Sequence, residues 1–377
     1  MKLVTAEGCH LIDDSGKKYV DFTSGGIFAG TLGAHSPILR DALNTDIQCC
    51  YGAYDNHYAE RYKDMLREWT GFEAVALFST GSEATEAAWR ACRTYTQRYG
   101  VWGGMPDPDT VGESEPENPY DAMHGWTLGA QIMAGKLSWG MAFEGLSQGT
   151  FMAREDACSM MILEPYHGPS AQWYDGKLIE HVKGNIKEFP DIYVCFDEIQ
   201  AGFGRTGKKF GYEWYHGIKP DLITVGKAMG GGYPLAALLG PKELIQQPEA
   251  NLHSTHSGHP VMCSVGIAVL DQMQKQGLVE QSYRKGMLLA ELLKDCGVRH
   301  HAGRGLLAGL EFKNAKQASK VVRICREKGL LVVDTGRKWL KIGPPLVIDD
   351  DLIGEGVEIL KRAIGRVIVE GVDRDES

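Results

Sequence analysis

The most informative pattern of the chain lies in residues 192–240, IYVCFDEIQAGFGRTGKKFGYEWYHGIKPDLITVGKAMGGGYPLAALLG. It contains two short apolar runs, YVCF (193–196) and LITV (222–225), each with the length of a buried parallel strand. A charged side chain follows each run: Asp197 directly, and Lys227 after one glycine. Because the carboxyl ends of parallel strands share one edge of a sheet, we expect a carboxylate and an amine to meet there.

A third apolar run, MMIL (160–163), is followed by Glu164, which we expect at the same edge as Asp197 and Lys227. Charge at buried strand ends is costly unless it is paired or used. A buried ion-pair network without chemistry is the alternative for any one of these residues. Three such residues at equivalent positions favour an active site.

The candidate phosphate-binding turn follows another apolar run, AVALF (74–78). The run ends in Ser-Thr-Gly-Ser and gives way to a helical pattern, EATEAAWRACR (83–93). Gly81 and Ser82 would then lie at a helix N-terminus, whose free N–H groups and positive dipole favour an anion. Such a turn alone is a common helix start. Beside an amine and a carboxylate, it predicts a phosphate-bearing aldehyde as the ligand.

The remaining patterns predict an α/β protein in two parts. Two strand patterns, HLIDD (10–14) and KKYVDFT (17–23), open the chain, and strand and helix patterns alternate again towards the C-terminus. We expect a large domain with a mostly parallel central sheet over residues 41–284 and a smaller α+β domain over residues 285–377. Residues 1–40 are expected to pack with the small domain.

Composition narrows the class of protein. A formal net charge of −9 gives no electrostatic support for a nucleic-acid or acidic-membrane partner. No apolar run approaches the roughly 18 residues that a membrane span needs, and the first residues turn polar too early for a signal peptide. Nine scattered cysteines without CxxC spacing are typical of reduced thiols. These features predict a cytoplasmic globular protein.

Two stretches between the apolar runs have simpler explanations than their motifs suggest. GFGRTGK (202–208) fits the first part of a P-loop, but Lys209 stands where magnesium binding needs Ser or Thr. We therefore expect no NTPase site there. The acidic, proline-rich residues 105–121 are typical of a solvated surface loop, with a lid over the active site as the alternative.

A histidine cluster in LHSTHSGHP is the candidate metal site. His253, His256 and His259 are spaced three apart, which on a helix could gather ligands for zinc. Gly258 and Pro260 favour a loop instead. We therefore expect no metal at these residues.

The 192–240 block resembles the signature of class III aminotransferases, the ornithine and ω-amino-acid group of fold-type I enzymes. FSTGSEATEAAWRACR (78–93) resembles the family's phosphate-binding turn and helix. THSGHPVMCSVGIAVL (255–270) and LKIGPPL (340–346) resemble later motifs, so the similarity extends over most of the chain. The resemblance implies a fold-type I large domain and pyridoxal 5′-phosphate as the cofactor.

The resemblance also implies roles for matching residues. Lys227 matches the lysine that forms a Schiff base with the cofactor, and Asp197 matches the aspartate that keeps the pyridine nitrogen protonated. Ile199 matches a residue packed on one ring face, and Gln200 one that bonds the ring hydroxyl. Further candidates for holding the cofactor are Gly81, Ser82, Met123, His124, Glu164 and Thr255. Thr255 matches a threonine that reaches the phosphate of a neighbouring subunit, which implies a homodimer with shared active sites.

Three positions depart from the family's pattern. Met123 stands where an aromatic residue usually stacks on the ring, so its thioether or Trp126 could take that place, or Met123 could merely fill space. Pro169 stands where the family often has a glutamate, and Lys341 stands where it has an arginine. That glutamate and arginine form the family's usual carboxylate switch. Lysine does not reproduce the two parallel bonds of an arginine fork. The departures argue against a standard ornithine or 4-aminobutyrate specificity and leave Lys341 and Trp126 as candidate substrate contacts.

The sequence therefore predicts an aminotransferase that moves an amino group between an amino compound and a 2-oxo acid. One alternative is an aminomutase, because GKAMGGGYPLAALLG (226–240) also resembles glutamate-1-semialdehyde aminomutase. The other is a non-catalytic protein that binds pyridoxal phosphate. The presence of Lys227, Asp197 and Gln200 argues against the second alternative, whereas the altered positions around the ring keep it open.

Overall fold

The computed structural model describes residues 1–103, 122–134, 158–174 and 176–375. The acidic stretch 105–121, for which a loop or a lid is expected, lies outside these ranges. No helix in the described ranges is long and apolar enough to cross a membrane.

The strands β1–β16 of the described residues are, in chain order, Leu3–Glu7, His10–Asp13, Lys18–Asp21, Ala74–Phe78, Gly100–Trp102, Cys158–Leu163, Tyr166–His167, Gln172–Trp173, Tyr193–Asp197, Leu222–Val225, Ala236–Gly240, His300–Gly303, Gly305–Glu311, Leu330–Leu331, Val333–Asp334 and Trp339–Ile342. The helices α1–α10 are Pro37–Ala42, His57–Thr70, Gly81–Thr96, Leu128–Met133, Gly176–Glu188, Lys242–Ile245, Pro260–Lys275, Leu278–Leu293, Ala315–Glu327 and Asp350–Asp375. Short helical turns add Ser24–Phe28, Gly211–Trp214, Lys227–Gly230 and Pro248–Ala250.

The central sheet has the strand order β4-β11-β10-β9-β6-β5. β5, β6, β9 and β10 run parallel, whereas β11 runs antiparallel to both β10 and β4. The expected mostly parallel sheet is confirmed. β11 is not predicted from the sequence, because its apolar residues continue directly from a glycine-rich stretch. All five of its residues are buried, as expected for a strand between two others.

The N-terminal strands pair with the C-terminal part of the chain. β1, β2, β3 and β14 form one sheet, in which Leu330 of β14 lies opposite Val20 of β3. A second small sheet has the order β12-β13-β16-β15. The division into domains, including the packing of residues 1–40 with the small domain, stays a prediction.

Helix α3 begins at the expected glycine because the residue before it is a strong N-cap. Thr80 Oγ1 accepts a hydrogen bond from the Glu83 N–H at 3.3 Å, and Glu83 Oε2 accepts one from the Thr80 N–H at 2.8 Å. The side of the helix towards the sheet carries small buried residues, namely Ala84, Ala87, Ala88 and Ala91. Small side chains let the helix lie close to the sheet, which places its N-terminus at the edge where the strands end.

Candidate active site

Three predicted residues meet at the carboxyl edge of the central sheet. β6 lies beside β9 and β9 beside β10, so Glu164, which follows β6, and Asp197, the last residue of β9, lie on neighbouring parallel strands. Lys227 follows β10 after Gly226. The convergence expected from the sequence is therefore present in the fold.

The carboxylate of Asp197 is buried and held from three directions. His124 Nδ1 lies 2.8 Å from Asp197 Oδ2, while the Ile199 N–H and Thr224 Oγ1 donate to Oδ1 at 3.2 and 3.3 Å. Thr85 Oγ1 donates to the His124 carbonyl at 2.8 Å and fixes the histidine in turn. The carboxylate thus has a set orientation, with histidine as its only ionisable hydrogen-bond donor in the described ranges.

Lys227 has an unusual backbone, and its amine bonds no other described residue. Its φ of +42° lies in the left-handed region, which costs a non-glycine residue about 1–3 kcal/mol. Its Nζ makes no hydrogen bond or ion pair with another residue that the structure describes. Burial lowers the pKa of Lys227, and the negative charges of Asp197 and Glu164 oppose that effect. Strain and a depressed pKa together are typical of a lysine used in chemistry.

Glu164 lies beside the segment that carries His124. Its Oε2 accepts a hydrogen bond from the Met123 N–H at 3.2 Å. Burial raises the pKa of Glu164, while His124 and His167 oppose the rise. A Cβ on Gly168 would lie 2.6 Å from Glu164 Oε1, so a larger residue there would displace the end of the Glu164 side chain. Glu164 therefore orders the backbone next to the Asp197–His124 pair.

The predicted phosphate turn has the geometry of an anion site. Within the described residues the N–H groups of Gly81 and Ser82 have no hydrogen-bond partner, as expected at a helix N-terminus. A Cβ on Gly81 would lie 2.7 Å from Ile199 Cδ1, and one on Gly125 would lie 2.2 Å from Ser82 Oγ. Ser82 Oγ also accepts the Trp126 N–H at 3.1 Å. The glycines thus keep this turn open at the wall that Ile199 forms.

Gln200 joins the edge of the central sheet to β16. Its Oε1 accepts hydrogen bonds from Tyr166 Oη and from Lys341 Nζ, both at 3.1 Å. Lys341 Nζ also donates to the Gly168 carbonyl. Burial, followed by repulsion from Lys227, lowers the pKa of Lys341 to about 7. Lys341 is therefore a buried lysine at the same site as Lys227.

Two candidates lie apart from this cluster. The Trp126 side chain is 77% exposed, although its backbone touches the phosphate turn. Thr255 is exposed in a turn, where its carbonyl accepts the Gly52 N–H at 3.1 Å. The histidine cluster around it lies in the same turn and not on a helix, as expected. In a single chain, neither Trp126 nor Thr255 completes the site.

Sequence reasoning misses three residues that support the site, namely Tyr166, Thr85 and Thr224. Thr224 had a detectable signal, because it lies directly opposite Asp197 in the β9–β10 pair. Tyr166 and Thr85 act on Gln200 and His124 across long stretches of chain. No local pattern marks either contact.

Comparisons with known proteins agree on one family. Residues 1–105 and 142–364 match the family model described as aminotransferase class-III. Acetylornithine aminotransferases from Caldanaerobacter subterraneus and Aquifex aeolicus are each 30% identical to this chain, over 97% of it. The matches cover 95% and 97% of those two proteins.

Solved structures of transaminases share the fold. An aminotransferase from Bacillus anthracis has a TM-score of 0.81 and 22% identity, covering 97% of this chain and 93% of that one. An S-selective transaminase from Bacillus megaterium has a TM-score of 0.82 at the same identity and coverage. At this identity the likeness concerns the fold alone, and it confirms the expected fold-type I architecture.

Proposed function

This chain belongs to the class III aminotransferase family, and we propose that Lys227 is the residue that attaches its pyridoxal 5′-phosphate. The enzyme moves an amino group between an amino compound and a 2-oxo acid. One observation carries the assignment of Lys227: a residue with a strained backbone, whose amine bonds no other described residue, lies at a strand end beside the fixed carboxylate of Asp197. The family membership favours this function over an aminomutase or a non-catalytic protein.

The residues of the site fit this cofactor. The buried Asp197 carboxylate can take a protonated ring nitrogen, since His124 is the only basic side chain bonded to it among the described residues. The helix N-terminus at Gly81 and Ser82 offers free N–H groups to a phosphate. Ile199 forms an apolar wall between this turn and Gly226, suited to one face of a ring. Amine, carboxylate, anion site and apolar wall thus match the four parts of the cofactor.

When bound, pyridoxal phosphate supplies an aldehyde for the substrate amine and a protonated ring that withdraws electrons from the substrate Cα. Asp197 holds the proton on the ring nitrogen, and His124 and Thr224 hold Asp197 in place. With the cofactor bound, Lys227 Nζ would accept the proton that leaves the substrate Cα and would return it to the cofactor carbon that carried the aldehyde. Its lowered pKa keeps part of the amine neutral for this step.

Replacing Lys227 by alanine tests the assignment, with the exposed Lys219 as a matched control. We expect Lys227→Ala to lose both the visible absorbance of attached cofactor and its fixation by borohydride reduction. Lys219→Ala should keep both. Covalent attachment that survives in Lys227→Ala would move the assignment to another lysine.

A half-reaction assay separates the three functions. Amino donors are added one at a time to the holoenzyme, and the conversion of the cofactor to its amine form is followed by absorbance. Conversion with release of an oxo acid supports transamination. Isomerisation without net release would support an aminomutase, and no response to any donor would support a non-catalytic protein.

We propose acetylornithine as the first donor to test, because the 30% identical relatives are named acetylornithine aminotransferases. The panel includes ornithine, 4-aminobutyrate and simple amines, each with a 2-oxo acid as acceptor. Lys341 and Pro169 replace the guanidinium and carboxylate expected for ornithine-type donors. We therefore expect the donor profile to differ from that of the ornithine and 4-aminobutyrate enzymes.

We further propose that the enzyme is a homodimer in which Thr255 serves the partner's site. Tyr51 and Tyr54 are 47% and 70% exposed, and their rings meet edge to face with centroids 5.8 Å apart. The Tyr51 ring also lies 6.3 Å from that of His253, next to the turn of Thr255. Exposed aromatic residues grouped in this way are typical of a protein interface.

Mixed dimers test this shared site. Lys227→Ala and Thr255→Val chains are combined so that each defect lies on a different chain. If Thr255 serves the partner, one site of the mixed dimer is intact and half of the tight cofactor binding returns. If Thr255 serves its own chain, or the protein is a monomer, tight binding does not return.

The cysteines support a cytoplasmic location as part of the same proposal. Seven of the nine cysteines are buried, and none of the nine shows CxxC spacing. Cysteines in such number without a disulfide spacing pattern are typical of a reducing compartment. Fractionation of the source cells checks the location directly.

A further inference from the structure

The side-chain amide of Gln200 is held so that only one orientation satisfies its neighbours. Tyr166 Oη and Lys341 Nζ both lie 3.1 Å from Gln200 Oε1. An ammonium group can only donate, and an amide side chain has one accepting end and one donating end. The carbonyl oxygen is therefore the end that faces Lys341. The NH2 group points away from that lysine.

The donating end of this amide is available to a ligand. Gln200 Nε2 has no hydrogen-bond partner within the ranges that the structure describes. Gln200 is partly buried and follows Ile199, whose side chain lies against Gly81 and Gly226 at the proposed ring wall. Two N–H donors therefore remain unused beside the site of Lys227.

Lys341 is itself fixed by other parts of the chain. Its side chain is 4% exposed, its Nζ donates to the Gly168 carbonyl, and its charge lies 5.3 Å from the centroid of the Phe28 ring. The charged groups that act on it are Lys227 and Glu164. A neutral amine keeps two N–H bonds, enough for its two acceptors, so the contact with Gln200 persists in both protonation states.

We propose that Lys341 and Tyr166 are positioning residues that make Gln200 present its N–H donors to the ring oxygen of the cofactor attached to Lys227. This inference rests on the proposed function and adds a specific role to two residues of the same site. It differs from the predicted role of Lys341 as a substrate contact. A donor at the ring oxygen stabilises its anionic form, whereas a flipped amide would place a carbonyl there and favour the protonated form.

The proton equilibrium of the ring oxygen is the direct readout, and the visible absorbance of the holoenzyme reports it as pH is varied. We expect Lys341→Met and Tyr166→Phe to strengthen proton binding at this oxygen. In the double variant the midpoint should rise by about one pH unit, a tenfold change, as for loss of one hydrogen bond to a charged oxygen. Gln200→Leu measures how far the midpoint shifts when the amide is absent.

A double-mutant cycle separates positioning from a direct effect of charge. In the Gln200→Leu background, Lys341→Met should change the proton affinity of the ring oxygen by less than twofold, because the amide through which Lys341 acts is absent. An undiminished effect in that background would overturn the proposal. Lys341→Arg keeps N–H donors at this position and should keep the wild-type midpoint. Tyr166→Phe provides the same cycle if the Lys341 variants fail to fold.

Steady-state constants distinguish the two roles considered for Lys341. A positioning residue should lower kcat in parallel with the spectral shift. A raised KM for the oxo acid with an unchanged spectrum would assign Lys341 to the substrate and overturn the proposal. A holoenzyme whose attached cofactor survives Lys227→Ala would instead contradict the proposed function, independently of Gln200.

Discussion

Replacing Lys341 by methionine should make the stability of the folded chain less dependent on pH. The side chain is 4% exposed, and burial together with Lys227 lowers its pKa from 10.5 to about 7. Between those values the unfolded chain binds a proton that the folded chain has released. Stability therefore rises with pH across this window. Methionine has a similar length and no titrating group, so the variant loses this contribution.

The magnitude follows from the two pKa values. At about 1.4 kcal/mol per pH unit, the full window between pH 7 and pH 10.5 is worth about 5 kcal/mol. Of this, about 2 kcal/mol falls between pH 7 and pH 9. The variant also leaves the Gly168 carbonyl without its Lys341 donor, at a cost of about 1–3 kcal/mol, whereas Gln200 Oε1 keeps its bond from Tyr166. That cost applies at every pH and does not change the slope.

Urea unfolding of the cofactor-free protein between pH 7 and pH 9, at one protein concentration, measures the effect without linkage to cofactor binding. The control variant is Lys187→Met, which removes an exposed lysine from α5. Wild type and control should gain about 2 kcal/mol more than Lys341→Met over this range. Equal gains in all three proteins would refute the reasoning that a buried amine controls the slope.

Three further substitutions test the site. Asp197→Asn keeps the shape but cannot hold a proton on the ring nitrogen, so kcat in the half-reaction should fall by at least about 100-fold; a fall of less than threefold would contradict the assigned role. Thr224→Val removes one bond to Asp197 worth about 1 kcal/mol, which should slow the same step about fivefold. Gly125→Ala places a Cβ 2.2 Å from Ser82 Oγ at a φ of +131° and should weaken cofactor binding at least about tenfold. Gly184→Ala, where the Cβ meets open space, should leave the dissociation constant unchanged, and equal constants for both variants would exclude the proposed phosphate turn.

The carboxyl edge of the sheet is predictable from the sequence because its residues follow short apolar runs directly. Asp197 is the last residue of its strand, Glu164 follows the end of its strand, and Lys227 lies one glycine beyond its strand. The phosphate turn is predictable for a similar reason, since Thr80 and Glu83 form a local capping box. These features depend on residues within about one helical turn of each other, where sequence and geometry are tightly coupled.

The contacts of residues that depart from the family's pattern, such as Lys341, could not be predicted, because they join distant parts of the chain. Lys341 and Gln200 are 141 residues apart, and their contact exists only because β16 packs against the loop after β9. A lysine in place of an arginine indicates an altered substrate contact when it is considered alone. In the fold, it is surrounded by the Gly168 carbonyl and the Phe28 ring.

The sequence by itself determined which amine, carboxylate and helix N-terminus meet at Lys227, because parallel strands bring their carboxyl ends to one edge. The tertiary structure decided how these groups are held. Its long-range hydrogen bonds fix Asp197 through His124 and Gln200 through Tyr166 and Lys341. Local patterns carry no information about such bonds, because their geometry depends on how separate elements pack.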